Sequence, residues 1–326
     1  MNRVTSDPRL SAGTAPAAAA EAVPPDTPRI RQRYWTARAR RDAWIFILFA
    51  LPNIALIAVF TYRPLVANFQ YSLLNWTLGE ATAINVGLQN YIDFFTSSSA
   101  VSVLGTTAIF TVFTVGGAMV LGLLVALALN QKVPGRTFAR AAVFAPYVLS
   151  GVGVGLVWLF IFDPVYGVLS WILRGLGAAS PEWINDPKLA LVMVIIVYIW
   201  KNLGYCAVVY LAGLQSLPQD VMEAASLDGA GTFRRFISIS FPLLSPTTFF
   251  LLITTLLSSL QAFDILKVMT PTGQGTNTLM FESYLQAFGA YNRAGASAAV
   301  SVILFILVLI ITVVQMRFVE RKVHYA

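Results

Sequence analysis

Few side chains in this sequence could do chemistry, and the most telling is Lys201, which stands in the middle of an apolar run from about Leu189 to Leu214. An ionised lysine at the centre of a hydrocarbon layer costs about 2.5 to 3.5 kcal/mol on insertion scales, so something must compensate it. A phosphate-bearing solute would do so, as would Asp264 or the carbonyl groups of a neighbouring helix, and a structural ion pair is an equal alternative. Asn202, Tyr205 and Gln261 could add hydrogen bonds at a similar depth, toward a solute or as contacts between helices. The chemistry available is recognition by charge and hydrogen bonding. A membrane-embedded enzyme would want a convergent set of His, Cys, Ser or paired carboxylates, so no catalytic residue is assigned. The single Cys206 and the single His324 preclude an intrachain disulfide, a cysteine-based metal site and paired-histidine ligation within the chain, and no metal ligand is expected. No stretch has the form G-x-x-x-x-G-K-[ST], so the chain has no evident means of hydrolysing ATP.

The elements that must position these residues follow from composition. Hydrophobic residues make up 57% of the 326-residue chain and charged residues 11%, against about a quarter charged in a soluble domain. The apolar residues fall into blocks of about 20, the length that spans a bilayer as helix. Six spans are expected: Ala43–Tyr62, Leu104–Leu129, Ala141–Phe162, Leu189–Leu214, Pro246–Phe263 and Ala294–Met316. Gly116, Gly117 and Gly122, and Gly151 and Gly155 on one face of the third span, suit close helix packing or a pore lining. Broken spans and internal repeats, the marks of many secondary transporters, are not evident.

The net charge of +7 sits beside the spans and not on one surface, so it reports topology and excludes a nucleic-acid partner. One orientation places sixteen of the twenty-two basic residues in the cytosol and five outside, with Lys201 inside a span; the reverse fits far worse. Both termini then face the cytosol, and the outer loops are residues 63–103, 163–188 and 264–293, whose Trp76, Tyr91, Trp171 and Trp183 suit the headgroup layer. Residues 1–28, rich in Ala and Pro, read as a disordered tail with no cleavable signal. The domain reading is a disordered and then basic cytosolic segment over 1–42, a six-helix membrane domain over 43–316 and a cytosolic tail over 317–326.

The loop over residues 215–245 is too long and too patterned for a mere connection. Ser216 and Gln219 have the spacing of a capping box, and Pro218 suits a first turn. Leu217, Val221 and Ala225 recur on one face of the helix that follows, with Asp220 and Glu223 on another. Gly229 can take the left-handed conformation that ends a helix. A second short helix is expected to set Phe233, Phe236 and Ile237 opposite Arg234 and Arg235, broken by Pro242 and Pro246.

The run Glu223-Ala224-Ala225-Ser226-Leu227-Asp228-Gly229-Ala230, continuing through Phe236 and Ile239 to Pro242, resembles the EAA signature of binding-protein-dependent ABC importer permeases. Gly87-Leu88-Gln89-Asn90-Tyr91, Phe162-Asp163-Pro164-Val165-Tyr166-Gly167, Trp200-Lys201 and Ala212-Gly213-Leu214-Gln215-Ser216-Leu217-Pro218 are similar to the sugar-type class of that family. The tail from Thr312 to Val323 resembles one branch, the A-type permeases of glycerol 3-phosphate importers. Where the class has T-x-G-G-P, this chain has Thr270-Pro271-Thr272-Gly273-Gln274-Gly275, which implies a different contact of the outer loop with a binding protein.

The resemblance implies an all-α, type I importer permease fold with a cytosolic coupling helix, in a bacterial inner membrane. It implies ATPase coupling through Glu223, Ala224, Ala225, Asp228, Gly229, Ala230 and Pro242, and a solute pathway past Lys201, Asn202, Tyr205, Gln261 and Asp264. It further implies a second permease subunit, a homodimer of ATPase chains that carries ATP and Mg, and an extracytoplasmic substrate-binding protein. This chain itself would hold no cofactor. Expected solutes are glycerol 3-phosphate and glycerophosphodiesters such as glycerophosphocholine; the alternatives are a disaccharide importer or, from another class, a secondary transporter or channel.

Overall fold

The computed structural model describes residues 37–131, 134–289 and 291–319. The tail expected over 1–28, His324 and the end of the basic C-terminus lie outside the described residues. The chain divides into two units, Met1–Ile57 and Ala58–Ala326.

In the first unit the described element is α1 (Ala37–Ile57), which starts ahead of the expected boundary at residue 43. From Trp44 onward it is almost wholly apolar, and large side chains such as Trp44 and Phe49 are more than 70% exposed. A helix with that surface has hydrocarbon for solvent or a protein partner on each face.

The second unit opens with a π-helical turn (Ala58–Tyr62) and α2 (Arg63–Tyr71). A two-residue antiparallel hairpin, β1 (Leu74–Asn75) with β2 (Ile84–Asn85), pairs Leu74 with Asn85. Then come α3 (Gln89–Thr96), α4 (Ser98–Leu129), α5 (Arg136–Val148), α6 (Gly151–Phe162), α7 (Val168–Gly175) and α8 (Pro187–Gln215). A knob follows, made of α9 (Gln219–Leu227), α10 (Thr232–Arg235), a π-helical turn (Phe236–Ser240) and α11 (Phe241–Leu243). The described residues end with α12 (Ser245–Leu260), α13 (Asp264–Met269), α14 (Leu279–Phe288), α15 (Ala294–Val314) and a π-helical turn (Gln315–Val319). The start of α8 is set locally: the Asp186 carboxylate accepts from Lys188 N at 2.7 Å and Leu189 N at 3.2 Å, with Pro187 in the first turn.

Five stretches among the described residues are long and apolar enough to cross a membrane: Trp44–Tyr71, Ser98–Leu129, Pro187–Gln215, Ser245–Met269 and Ala294–Arg317. The sixth expected span, Ala141–Phe162, is not one helix. It is the pair α5 and α6, bent by 100°. Pro146 removes a backbone donor near the end of α5, and Leu149 (φ −68°, ψ 146°) and Ser150 (φ −55°, ψ 134°) are extended. The expectation that no span is broken is therefore overturned. The span after the knob is also interrupted, because α12 stops at Leu260 and α13 starts at Asp264.

Small residues set the packing of this unit. A Cβ on Gly122 would stand 2.5 Å from Cys206 Cβ, and one on Gly117 equally close to Ile199, so α4 and α8 meet through glycines. Gly151 lies against Asp264 and Gly155 against Val268, which joins α6 to α13; Gly153 and Gly116 meet open space. Buried around these contacts are Phe110, Met193, Val197, Leu266 and Phe281, and nearer the knob Ala126, Cys206, Tyr210 and Leu251. Polar ties cross between helices: Thr114 Oγ1 lies 2.8 Å from Ser259 Oγ, and Leu279 N donates to Thr107 Oγ1 at 2.9 Å.

Candidate functional site

The knob hangs between α8 and α12, so both of its ends are anchored in long apolar helices. Ser216 does not cap α9 as its spacing with Gln219 suggests. It ends α8, its hydroxyl donating to Gly213 O at 2.9 Å and its backbone N–H to Ala212 O and Gly213 O. α9 closes as expected: Gly229 has φ +74°, Ala230 N donates to Ala225 O at 3.1 Å, and Asp228 N donates to Ala224 O at 3.0 Å. That six-to-one bond around a left-handed glycine is a Schellman turn, and it sets the angle at which α10 departs.

The inward edge of α9 differs from the expected one. Val221 is 43% exposed, and the side that packs on the chain runs through Met222 and Ala225, with Ser240 Oγ reaching Met222 Sδ at 3.7 Å. Ala225, at 8% exposure, packs within the knob. Glu223, Ala224, Asp228 and Gly229 are exposed, Ala230 is half-buried, and Pro242 is half-buried in the first turn of α11. Leu227 and Phe233, which are not among the expected coupling residues, are 89% and 77% exposed at the tip. Two large apolar side chains flanking acidic residues on a protruding turn form a surface suited to a protein partner. Their position on either side of Asp228-Gly229 was the available signal.

The second region lies at the α5–α6 bend. Lys201, halfway along α8, donates from Nζ to Tyr147 O at 3.1 Å and rests over the Tyr147 ring, 5.4 Å from its centroid. The bend frees carbonyls at the end of α5, and the ammonium satisfies one of them while meeting the negative end of the helix dipole. Of the compensations open to Lys201, a neighbouring helix's carbonyl is the one in direct contact. Tyr147 stacks on Tyr205 at 4.9 Å with an 18° angle between rings, and Tyr205 OH bonds Thr254 Oγ1 at 3.3 Å. Tyr147 was absent from the expected pathway; Pro146 beside it marked where a helix would end. Asn202 turns back on its own helix, Nδ2 donating to Tyr198 O at 2.8 Å, so it neither bridges helices nor joins this cluster.

Gln261 and Asp264 are both exposed at the α12–α13 interruption. Asp264 acts electrostatically on Lys201, yet among the described residues the ion pair within 4.0 Å is Arg41 with Asp42, on the surface. An exposed, unpaired carboxylate inside an apolar stretch is not tolerated against lipid, so this face looks onto water or a polar partner.

At the far end of α6 the Asp163 carboxylate accepts from Tyr166 N at 2.7 Å and Val165 N at 2.8 Å, and these bonds hold it below the usual carboxylate range. It is the turn residue of the expected Phe162–Gly167 element. The loop that departs from T-x-G-G-P is tied by a hydrogen bond between Thr276 and Thr270 at 2.6 Å, and Gly275 (φ +74°) lies directly on the Pro187 backbone. No group of three or more metal-binding side chains occurs among the described residues.

Comparison with known proteins places residues 118–325 in a family described as binding-protein-dependent transport system inner membrane component. The sn-glycerol-3-phosphate transport system permease protein UgpA of Agrobacterium fabrum is 37% identical over 281 residues, covering 85% of this chain and 95% of that protein. The protein of the same name from Yersinia pestis is 34% identical, covering 87% and 96%. Among solved structures, a chain of a bacterial alginate ABC transporter in complex with an alginate pentasaccharide-bound periplasmic protein superposes with a TM-score of 0.78 at 20% identity, over 90% of this chain and 100% of that one. That likeness shows a shared fold.

Proposed function

The chain belongs to the binding-protein-dependent transport system inner membrane components, and from that premise we propose that it forms, with a second permease subunit, the translocation path of an ATP-driven importer for glycerol 3-phosphate or glycerophosphodiesters. The solute class is supported by the names of relatives that match nearly end to end.

One observation carries the mechanism: α8 runs from Lys201 directly into the knob, and α12 runs from the knob directly to Gln261 and Asp264. A force on Glu223, Leu227 or Phe233 is thus delivered by two rigid helices to both sides of the polar cluster. The knob faces the cytosol and docks on an ATPase homodimer, which binds ATP and Mg and hydrolyses the nucleotide; this chain is a permease subunit and holds no cofactor. Closure of that dimer moves the knob and switches the cluster between outward and inward access. Net transport requires that the two states differ in affinity for the solute. An extracytoplasmic binding protein delivers solute to the opposite end, and both termini lie in the cytosol.

The test is uptake by the assembled complex in proteoliposomes, with glycerol 3-phosphate, glycerophosphocholine and a disaccharide in competition. ATP-dependent accumulation blocked by the two phosphate compounds is the expected result. Accumulation without the ATPase, or competition by the disaccharide alone, overturns it.

A further inference from the structure

A second lysine, Lys267, rests on a tyrosine ring as Lys201 does. Lys267 lies in α13, two residues before the end of the Ser245–Met269 span, whereas Lys201 is midway along its own. Its ammonium rests over the ring of Tyr284, 4.8 Å from the centroid. That ring is fixed in an aromatic platform, 4.8 Å from Phe263 and 5.5 Å from Phe288. Both lysines are thus parked on tyrosine faces, where a cation is stabilised without being neutralised.

Neither lysine has a carboxylate within 4.0 Å among the described residues. Lys201 spends one donor on Tyr147 O, and the Lys267 ammonium donates no hydrogen bond to the described residues. An ammonium offers three donors, so most of this capacity is unused. The acids nearby pair with neither ammonium among the described residues. The Glu282 carboxylate is buried and held by the amides of Asn277 and Gln286. Asp264, one turn before Lys267, is exposed, and it acts on Lys201 from beyond ion-pair distance.

Resting on the solute class proposed above, we propose that Lys267 is an outer anion subsite: it receives the phosphate of an incoming solute and passes it, past Asp264, to Lys201 at mid-span. Both ammonium groups are left without an ion-pair partner within 4.0 Å among the described residues. A phosphate gains charge-assisted hydrogen bonds at both stations. Asp264 stands between them and repels the anion, so the phosphate does not settle between the stations.

The test uses the complete assembly in proteoliposomes with Lys267→Gln and Lys267→Arg, and two solutes measured separately. Glycerol 3-phosphate carries up to two negative charges, and the phosphodiester of glycerophosphocholine carries one. In Lys267→Gln the uptake rate of glycerol 3-phosphate falls about tenfold, the scale of one lost charge-assisted bond. The ratio of its rate to that of glycerophosphocholine falls as well, and Lys267→Arg restores at least half of the rate. Wild-type uptake by Lys267→Gln overturns the subsite, as does an equal loss for both solutes without rescue by arginine, since that is a packing defect. A wild-type assembly that moves neither solute overturns the solute class itself, and the subsite with it.

Discussion

The knob and the bend are built in opposite ways. Within the knob, the contact from Ser240 to Met222 and the bond from Ala230 to Ala225 join residues close in sequence, so the local chain almost suffices to shape it. At the bend, Lys201 meets Tyr147 from 54 residues away and Tyr205 meets Thr254 from 49. A region made of local contacts can move as a body, whereas one made of distant contacts responds when the helices that carry it shift. That division suits the lever and gate proposed above.

The most damaging lesion is expected at the scaffold of the bend. A Cβ on Gly204 collides with the carbonyl of Val143 and approaches Phe144 Cα to 3.0 Å, both backbone and unable to give way. Gly204→Val should cost about 3 kcal/mol, the upper end for an overpacked site, and detach α5 from α8. Thermal unfolding of the purified assembly in detergent reads this, and an unchanged melting temperature would show that the bend tolerates separation.

In the knob the corresponding lesion is conformational. Gly229→Val places a β-branched residue at φ +74°, which costs about 1 to 3 kcal/mol and turns α10 away from its set angle. Uptake should fall by about tenfold or more while the spans keep their melting temperature. A matching loss of melting temperature would mean that the knob is not separable from the bundle.

Lys201→Ala sharpens the contrast from the other side. It leaves the Tyr147 carbonyl without its donor and removes the mid-span cation, and should impair uptake severalfold without preventing assembly. Normal transport by this variant removes Lys201 from the path.

The smallest effect is at Asp163. Its carboxyl lies below the ordinary range in the folded protein, so its stabilising contribution is full above the unfolded value and is lost as pH falls through the folded one. Asp163→Ala should lower the melting temperature slightly near neutral pH, with the gap closing in acid. A gap that persists in acid would assign the effect to packing.

Most of the knob was legible before any coordinates. Asp228-Gly229 announced the left-handed turn and the charged and apolar spacing announced two short helices, because turn chemistry is decided by neighbours in the chain. The inward edge of α9 was misplaced from Val221 to Met222 because it depends on where Ser240 returns. Ser216 was misread because a hydroxyl near two helices serves whichever end lacks partners. At the bend the sequence marked Lys201 as costly and in need of a partner, but offered several.

Hydropathy, basic-residue placement and glycine at turns are one-dimensional signals, and from them the spans and the knob could be laid out along the chain. That the third span folds back by 100°, that Tyr147 receives Lys201, and that Asp264 lies on Gly151 and exposed are facts of three-dimensional closure. They depend on which helices approach closely enough to supply a missing donor, and proximity of that kind is encoded in packing between residues that no local pattern connects.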